Sequence, residues 1–551
     1  MGGKAHAGAV TAALGAAATY CEWAPLAPLF RSGLLDACGH FLSSSEFRGQ
    51  ACEVLRHVAH RRRGDVVNNA LSGGGKVANV APGAEDAGEQ EAAEDATSVV
   101  DGFSKMCRSI GVAVTQVLSQ GVTDSASEER EYVVRLTETA AAIASNHLHV
   151  LPDLSLKYSF LEALLGLTKY PTLDTLGPSV SAWPGLLRNA GAELPNGFQR
   201  PDKKDVGSGV YGAQHKDLHF QKESEKDENR KNVIPPECVV ALLETTKFWL
   251  QSGGGLAAGL LTSKCYDAKS DDWELEYETR EELREVWVVL RARLMEVTKL
   301  CTFLNPVAAA NAAANCVAGT VAMVKLGGAL DPAANPQPGV NSSDEYGRSA
   351  LDDAVGCAFE GTVSFVEPVV QALPFLGVTD ADRNTIAQVM PALDASLAAT
   401  LAVDLTTPVG VSQMSRLLEA LGRCALARAD AGTATLNRLF EILGRLPSDD
   451  IHSPPARAKA ALMAGRTAQA ARQRVCAAVL GVCTAAPEVR GYYVCPFKTY
   501  YALSSSFRFF FHIIFAWLRS PSEASTRRDV CCRARESVRA PILASSRSIS
   551  R

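Results

Sequence analysis

Leu283, Val286, Trp287, Leu290, Leu294, Val297, Cys301 and Leu304 lie at offsets of 3, 4, 7, 11, 14, 18 and 21 residues from the first. Only a helix gathers that spacing onto one face. A face of that length cannot be left in water, so the chain must supply other helices to cover it. Val133, Leu136, Ala140 and Ile143 form a second stripe, and Ala140, Ala141, Ala142 and Ala144 are small enough to let helices approach closely. Breakers separate the stripes at Leu151-Pro152-Asp153, Tyr170-Pro171-Thr172, Asn305-Pro306 and Leu446 to Asp450. No convincing alternating strand pattern occurs. Hydrophobic residues make up 47% of the 551 and charged ones 21%, which excludes a wholly disordered chain. Aromatics are only 7% beside abundant alanine, favouring packed helices over sheets.

Helix pairs recurring at about 40 to 47 residues without a fixed signature predict an all-α fold of the HEAT-repeat α-solenoid type. In such a superhelix each repeat covers its neighbour's apolar face. An ordinary multi-helix enzyme domain would show the same periodicity. Three polar stretches interrupt the pattern. Residues 70–97 read as a solvated acidic loop, 195–235 as a disordered charged insertion, and 327–347 as a Gly/Pro/Asn/Ser linker. The expected organisation is helical repeats at 1–194, 236–326 and 348–489, with a basic, aromatic tail at 490–551.

Charge is unevenly distributed. The tail carries eleven Lys or Arg against three carboxylates, residues 454–489 have a net charge of +4, and residues 1–453 sum to -17 in a chain of net -5. A polyanion would therefore meet a local basic surface. The best such surface is a helix from Arg457 to Val482. There Lys459, Arg466 and Arg474 fall within about 80 degrees of one another, and Val475, Val479 and Val482 take the opposite side. That face suits duplex phosphates or an acidic protein; the bland reading is a solvated outer face.

Other motifs carry less. Gly207 to Gly212 spell G-x-G-x-x-G inside the charged insertion, without the strand and helix a dinucleotide needs. Gly73-Gly74-Gly75-Lys76 lacks the Ser or Thr of a phosphate loop, because Val77 follows. Arg61, Arg62 and Arg63 beside His57 and His60 are weaker anion-binding candidates. The fifteen cysteines show no zinc-type spacing and read as reduced, buried thiols. The apolar run Phe509 to Leu518 is about half a membrane span, so no membrane partner is expected. The residues present no catalytic constellation, metal set or resident cofactor site. The expectation is a binding protein and not an enzyme.

Four segments, in order, resemble the karyopherin-β nuclear export receptors of the exportin-5 and Hasty type. They are Thr19-Tyr20-Cys21-Glu22-Trp23-Ala24-Pro25-Leu26 with Gln50 to Leu55 and the basic turn Arg61 to Gly64; Thr168-Lys169-Tyr170-Pro171 with Trp183 to Arg188; Tyr266-Asp267 with Asp271 and Asp272, leading to Asn305-Pro306; and Arg472-Gln473-Arg474-Val475-Cys476. The resemblance spans roughly residues 1 to 489. It implies shuttling between nucleus and cytoplasm, with Ran-GTP as partner and GTP held only through Ran. Its implied cargo is duplex or hairpin RNA such as precursor microRNA, or protein, with nucleoporins as further contacts. Lys459, Arg466, Arg472 and Arg474, with Arg457, are then the candidates for RNA phosphates or Ran. Arg61, Arg62, Arg63, Asp271 and Asp272 are weaker ones. The match is to the middle of such receptors, so the family's Ran-binding N-terminal repeats are expected to lie outside this chain. The tail departs from the family and reads as disordered or as a gene-model artefact. A general HEAT scaffold that binds proteins and no RNA is the competing expectation.

Overall fold

The computed structural model describes residues 2–61, 85–120, 127–192, 234–253, 280–329, 350–373, 380–404, 408–424, 429–445, 471, 474–479 and 482. Every regular element among them is helical. In chain order these are α1 (Gly2–Cys21), α2 (Leu26–Arg31), α3 (Leu34–Phe41), α4 (Arg48–His60), α5 (Glu85–Gln120), α6 (Ser127–Asn146), α7 (Leu154–Thr168), α8 (Leu173–Asn189), α9 (Pro236–Ser252), α10 (Arg280–Leu304), α11 (Pro306–Ala329), α12 (Ala350–Ala372), α13 (Asp380–Leu401), α14 (Pro408–Cys424) and α15 (Ala429–Arg445), with a 3-10 turn at Leu148–Val150.

The chain divides into two compact units, one of residues 1–344 and 348–392 and one of residues 345–347 and 393–551. The 327–347 stretch expected from composition to be a linker is described as far as Ala329, where α11 ends. The helices on either side of that stretch, α11 and α12, pack on each other within the first unit.

Within the first unit, helices pack on the helix two places along as well as on the next. One layer runs α1, α4, α6, α8, α10, α12 and the other α3, α5, α7, α9, α11, each touching its successor in the layer. This skip-one adjacency is what HEAT-type pairs produce, and it confirms the all-α solenoid reading for this unit. Both sequence stripes face inward. Leu283, Trp287, Leu290, Leu294, Val297 and Cys301 are buried on α10, as are Val133, Leu136, Ala140 and Ile143 on α6.

The breakers act as caps. Asp153 accepts the backbone N–H groups of Ser155 at 2.9 Å and Leu156 at 3.3 Å to start α7. Asn305 Oδ1 accepts the Ala308 N–H at 3.1 Å, with Pro306 in the first turn of α11. At the end of α8, Gly191 takes φ 100° while its N–H reaches the Arg188 carbonyl and the Ala192 N–H reaches that of Leu187, each at 3.0 Å, a paired closure that favours glycine.

Tryptophans tie the repeats together. Trp183 on α8 donates its indole N–H to Thr168 Oγ1 at 3.0 Å, and Trp249 on α9 donates to the Thr168 carbonyl at 2.8 Å. Burying such a side chain contributes about 2–3 kcal/mol. The first layer adds an arginine–carboxylate pair at successive contacts. Arg48–Glu129 (3.0 Å) and Arg56–Glu138 (3.7 Å) join α4 to α6, Arg130–Asp174 (2.5 Å) joins α6 to α8, Arg188–Glu296 joins α8 to α10, and Arg291–Glu360 (2.5 Å) joins α10 to α12. Partly exposed pairs contribute only about 0–1 kcal/mol each, so apolar burial carries the stack and the pairs set register.

The second unit contains the end of α13, α14, α15 and the helical residues 474–479. Arg438 on α15 closes the end of α13, donating to the Val403 carbonyl at 2.6 Å.

One expectation changes. The acidic loop of 70–97 is helix from Glu85 onward, because Glu and Ala favour helix and carboxylates suit a helix N-terminus. Length and composition would also allow Pro306–Val324 of α11 to cross a membrane. It packs instead against α9, α10 and α12, with Ala309, Ala310, Ala313 and Val317 buried, the setting of a core helix. The charged insertion lies outside the described residues up to residue 233, the linker from residue 330, and the basic tail throughout.

Candidate functional site

The basic helix is described at residues 471, 474–479 and 482. Its apolar side is where periodicity puts it, with Val475, Val479 and Val482 all buried. The approach to α14 and α15 is close. A β-carbon on Gly422 would stand 3.1 Å from Thr435 Cγ2 and 3.2 Å from Val482 Cγ2, so only glycine fits without a shift.

Arg474 sits on this segment, and its Nη2 donates to Glu419 Oε2 of α14 at 2.7 Å. Glu419 is only 9% exposed. Such a carboxylate is stable only with its counter-charge beside it. The one described member of the cationic set is thus already holding an anion. Lys459, Arg457, Arg466 and Arg472 lie outside the described residues, as do Arg62, Arg63, Asp271 and Asp272. Sequence reasoning missed Glu419. It lies some 55 positions away on another helix, and only folding brings the two together.

Arg61 is half-buried at the end of α4. Its Nη1 donates to the Cys21 carbonyl at 3.2 Å and to that of Ala24, closing the turn between α1 and α2. Around it the field is mixed. His57 lies between Glu53 Oε1 at 3.1 Å and Glu22 Oε1 at 3.4 Å. Burial, with Arg56 nearby, pushes the His60 imidazole toward its neutral form. Beside this turn Trp23 is 67% exposed and meets Tyr20 edge-on, ring centres 4.7 Å apart.

Among the described residues no three His, Cys, Asp or Glu side chains converge as a metal set. The cysteines whose side chains are described form no disulfide, and all but the half-buried Cys357 are buried.

No protein-family model matches the chain. Over 492 residues, 88% of its length, it is 24% identical to Protein HASTY 1 of Arabidopsis thaliana, of which the match covers 35%. The chain is Hasty-like. It spans about a third of that relative, and the relationship agrees with the export-receptor resemblance read from the four segments.

The Hasty-like segments have a structural account. Thr168 of the second segment accepts from Trp183 of the same segment. Arg61 of the first caps the carbonyls of Cys21 and Ala24, which belong to its opening residues. These are ties within and between repeats, which explains why those residue types occur together.

Proposed function

We propose that this chain is part of a nuclear export receptor that carries structured RNA, such as a precursor microRNA hairpin, together with Ran-GTP. The observation that supports the reading is the Hasty-like match along 88% of a helical-repeat chain, joined to a run of Lys and Arg in the sequence from Arg457 to Arg474 that leads into the buried Val475, Val479 and Val482. Lys459, Arg457, Arg466 and Arg472 would meet the phosphates of an A-form stem through shape and charge, without reading bases, beside Arg474, which Glu419 engages. Ran-GTP would favour the cargo-holding conformation and its hydrolysis would relax it. The chain performs no reaction in this reading, needs no cofactor of its own, and shuttles between nucleus and cytoplasm.

Mobility shift of a hairpin RNA with a short 3′ overhang, at several salt concentrations, tests it. Affinity should fall steeply with salt, and Lys459→Ala/Arg466→Ala should weaken binding and flatten that dependence by about two phosphate contacts. Pull-down with Ran locked in the GTP state should retain more RNA than Ran-GDP does. Salt-insensitive binding, or none, would sink the RNA reading.

The engagement of Arg474 by Glu419 favours a second reading, a helical-repeat scaffold for protein partners that binds no RNA. It predicts protein capture that changes little with ionic strength.

A further inference from the structure

We infer that the exposed side of α8 and α10 is a docking surface for a partner protein, which lays an amphipathic segment with apolar and acidic side chains along α10. This surface belongs to the first unit and owes nothing to the basic residues 457–474.

α10 buries one face and leaves another in water. Leu283, Trp287, Leu290 and Leu294 take the core, whereas the adjoining Val288 and Val289 are 61% and 62% exposed. Ala292 is exposed one turn on from Val288, so the outward face stays apolar over that turn. On α8, which packs beside α10, the exposed positions Ser181 and Gly185 are small. Arg284 and Glu285, exposed on the turn before the valines, are opposite in sign and cancel.

One turn past Val289 the surface turns positive. Arg293 Nη1 donates to Glu296 Oε2 at 3.1 Å, and Arg188 Nη2 of α8 donates to the other oxygen, Oε1. One carboxylate thus faces two guanidinium groups, and each arginine side chain is 53% exposed. The trio keeps one positive charge, carried by forks that still have N–H groups to offer. Apolar side chains alone would suit many occupants, and the surplus cation selects among them. A protein segment that covers the valines with its own apolar side chains and sets an Asp or Glu about one helical turn away, roughly 6 Å, satisfies both features at once. A basic segment would be repelled, and a nucleic-acid backbone would match the charge while leaving the valines against phosphates.

A displayed library of short random peptides, panned on the full chain and on its Val288→Ser/Val289→Ser variant, tests this. Peptides held by the wild type and lost on the variant should pair Leu, Ile, Phe or Met with Asp or Glu about one turn apart. Labelled copies of those peptides, followed by fluorescence anisotropy, should bind Arg293→Gln about tenfold more weakly than the wild type. Both variants should keep the wild-type circular dichroism, because the replaced side chains lie at the surface. Failure to select peptides that distinguish wild type from the valine variant, selection of basic peptides, or equal affinity for Arg293→Gln overturns the inference. So does either of two other occupants. A shallower salt slope of hairpin-RNA binding in Arg188→Gln/Arg293→Gln would assign the cations to phosphate. Wild-type sedimentation that rises with concentration, and does not in the valine variant, would assign the valines to a second copy of the chain.

Discussion

Trp249 donates its indole N–H to the backbone carbonyl of Thr168 at 2.8 Å, joining α9 to the end of α7 across 81 positions. The same threonine takes the Trp183 N–H on its hydroxyl at 3.0 Å, so a single residue at a helix end satisfies two buried indoles. Thr168 and both tryptophans are almost wholly buried, where an unpaired N–H is expensive.

Thr168→Val keeps the shape and removes the acceptor for Trp183. It should cost about 1–3 kcal/mol, the penalty of a stranded buried donor. Urea denaturation followed by tryptophan fluorescence measures it. Thr168→Ser should recover most of the loss, since the hydroxyl returns.

Arg291 pairs with Glu360 at 2.5 Å and donates to Ser364 Oγ at 3.0 Å, and Glu360 is only 2% exposed. Arg291→Met alone leaves that carboxylate without its counter-charge and should destabilise by about 3 kcal/mol. The double variant Arg291→Met/Glu360→Gln should be clearly less destabilised than the single one. Equal midpoints for the two would show that the pair does not act as a unit.

Arg61 closes the carbonyls of Cys21 and Ala24, so Arg61→Ala should loosen the α1–α2 corner. The expected cost is about 1–3 kcal/mol for hydrogen bonds from a charged donor. Hydrogen exchange should rise in α1 and α2, and the salt slope of RNA binding should stay as it is. A shallower slope would instead assign Arg61 to the ligand.

Burial raises the thiols of Cys38, Cys52 and Cys107 from 9.0 to about 12, and those of Cys238 and Cys316 to about 11. The sign follows from linkage. The unfolded chain loses these protons near 9.0 and the folded one does not, so ionisation above that pH favours unfolding. Their contribution to stability is complete below pH 9 and declines between about 9 and 12. Unfolding midpoints under reducing conditions should be flat from pH 7 to 8.5 with respect to these groups and fall by pH 10. Among the described cysteines, iodoacetamide at pH 8 should modify half-buried Cys357 first and the buried ones slowly in native protein, and all of them quickly in denatured protein.

The helices were legible because their signals are local. The stripe from Leu283 to Leu304 needs only the 3.6-residue repeat, and Asp153 and Asn305 cap N–H groups only two or three positions along. The acidic stretch from Glu85 resembles a loop by charge density alone, but Glu and Ala favour helix and the turns of α5 beyond it are buried. The candidate site was half legible. Spacing put Arg474 at the edge of the valine side formed by Val475, Val479 and Val482, but nothing near it in the chain names Glu419.

From the order of its residues alone, this protein is committed to amphipathic helices with their start and stop points and to the buried side of Val475, Val479 and Val482. Those properties depend on neighbours within a few positions, where backbone geometry leaves one outcome. Tertiary structure decided which helices share a layer, that Thr168 serves two indoles, that the arginines of the first layer bridge successive repeats, and that Arg474 meets the Glu419 carboxylate. Each of those pairings joins residues tens of positions apart, and contact at that distance is set by how whole faces pack, a quantity no local pattern carries.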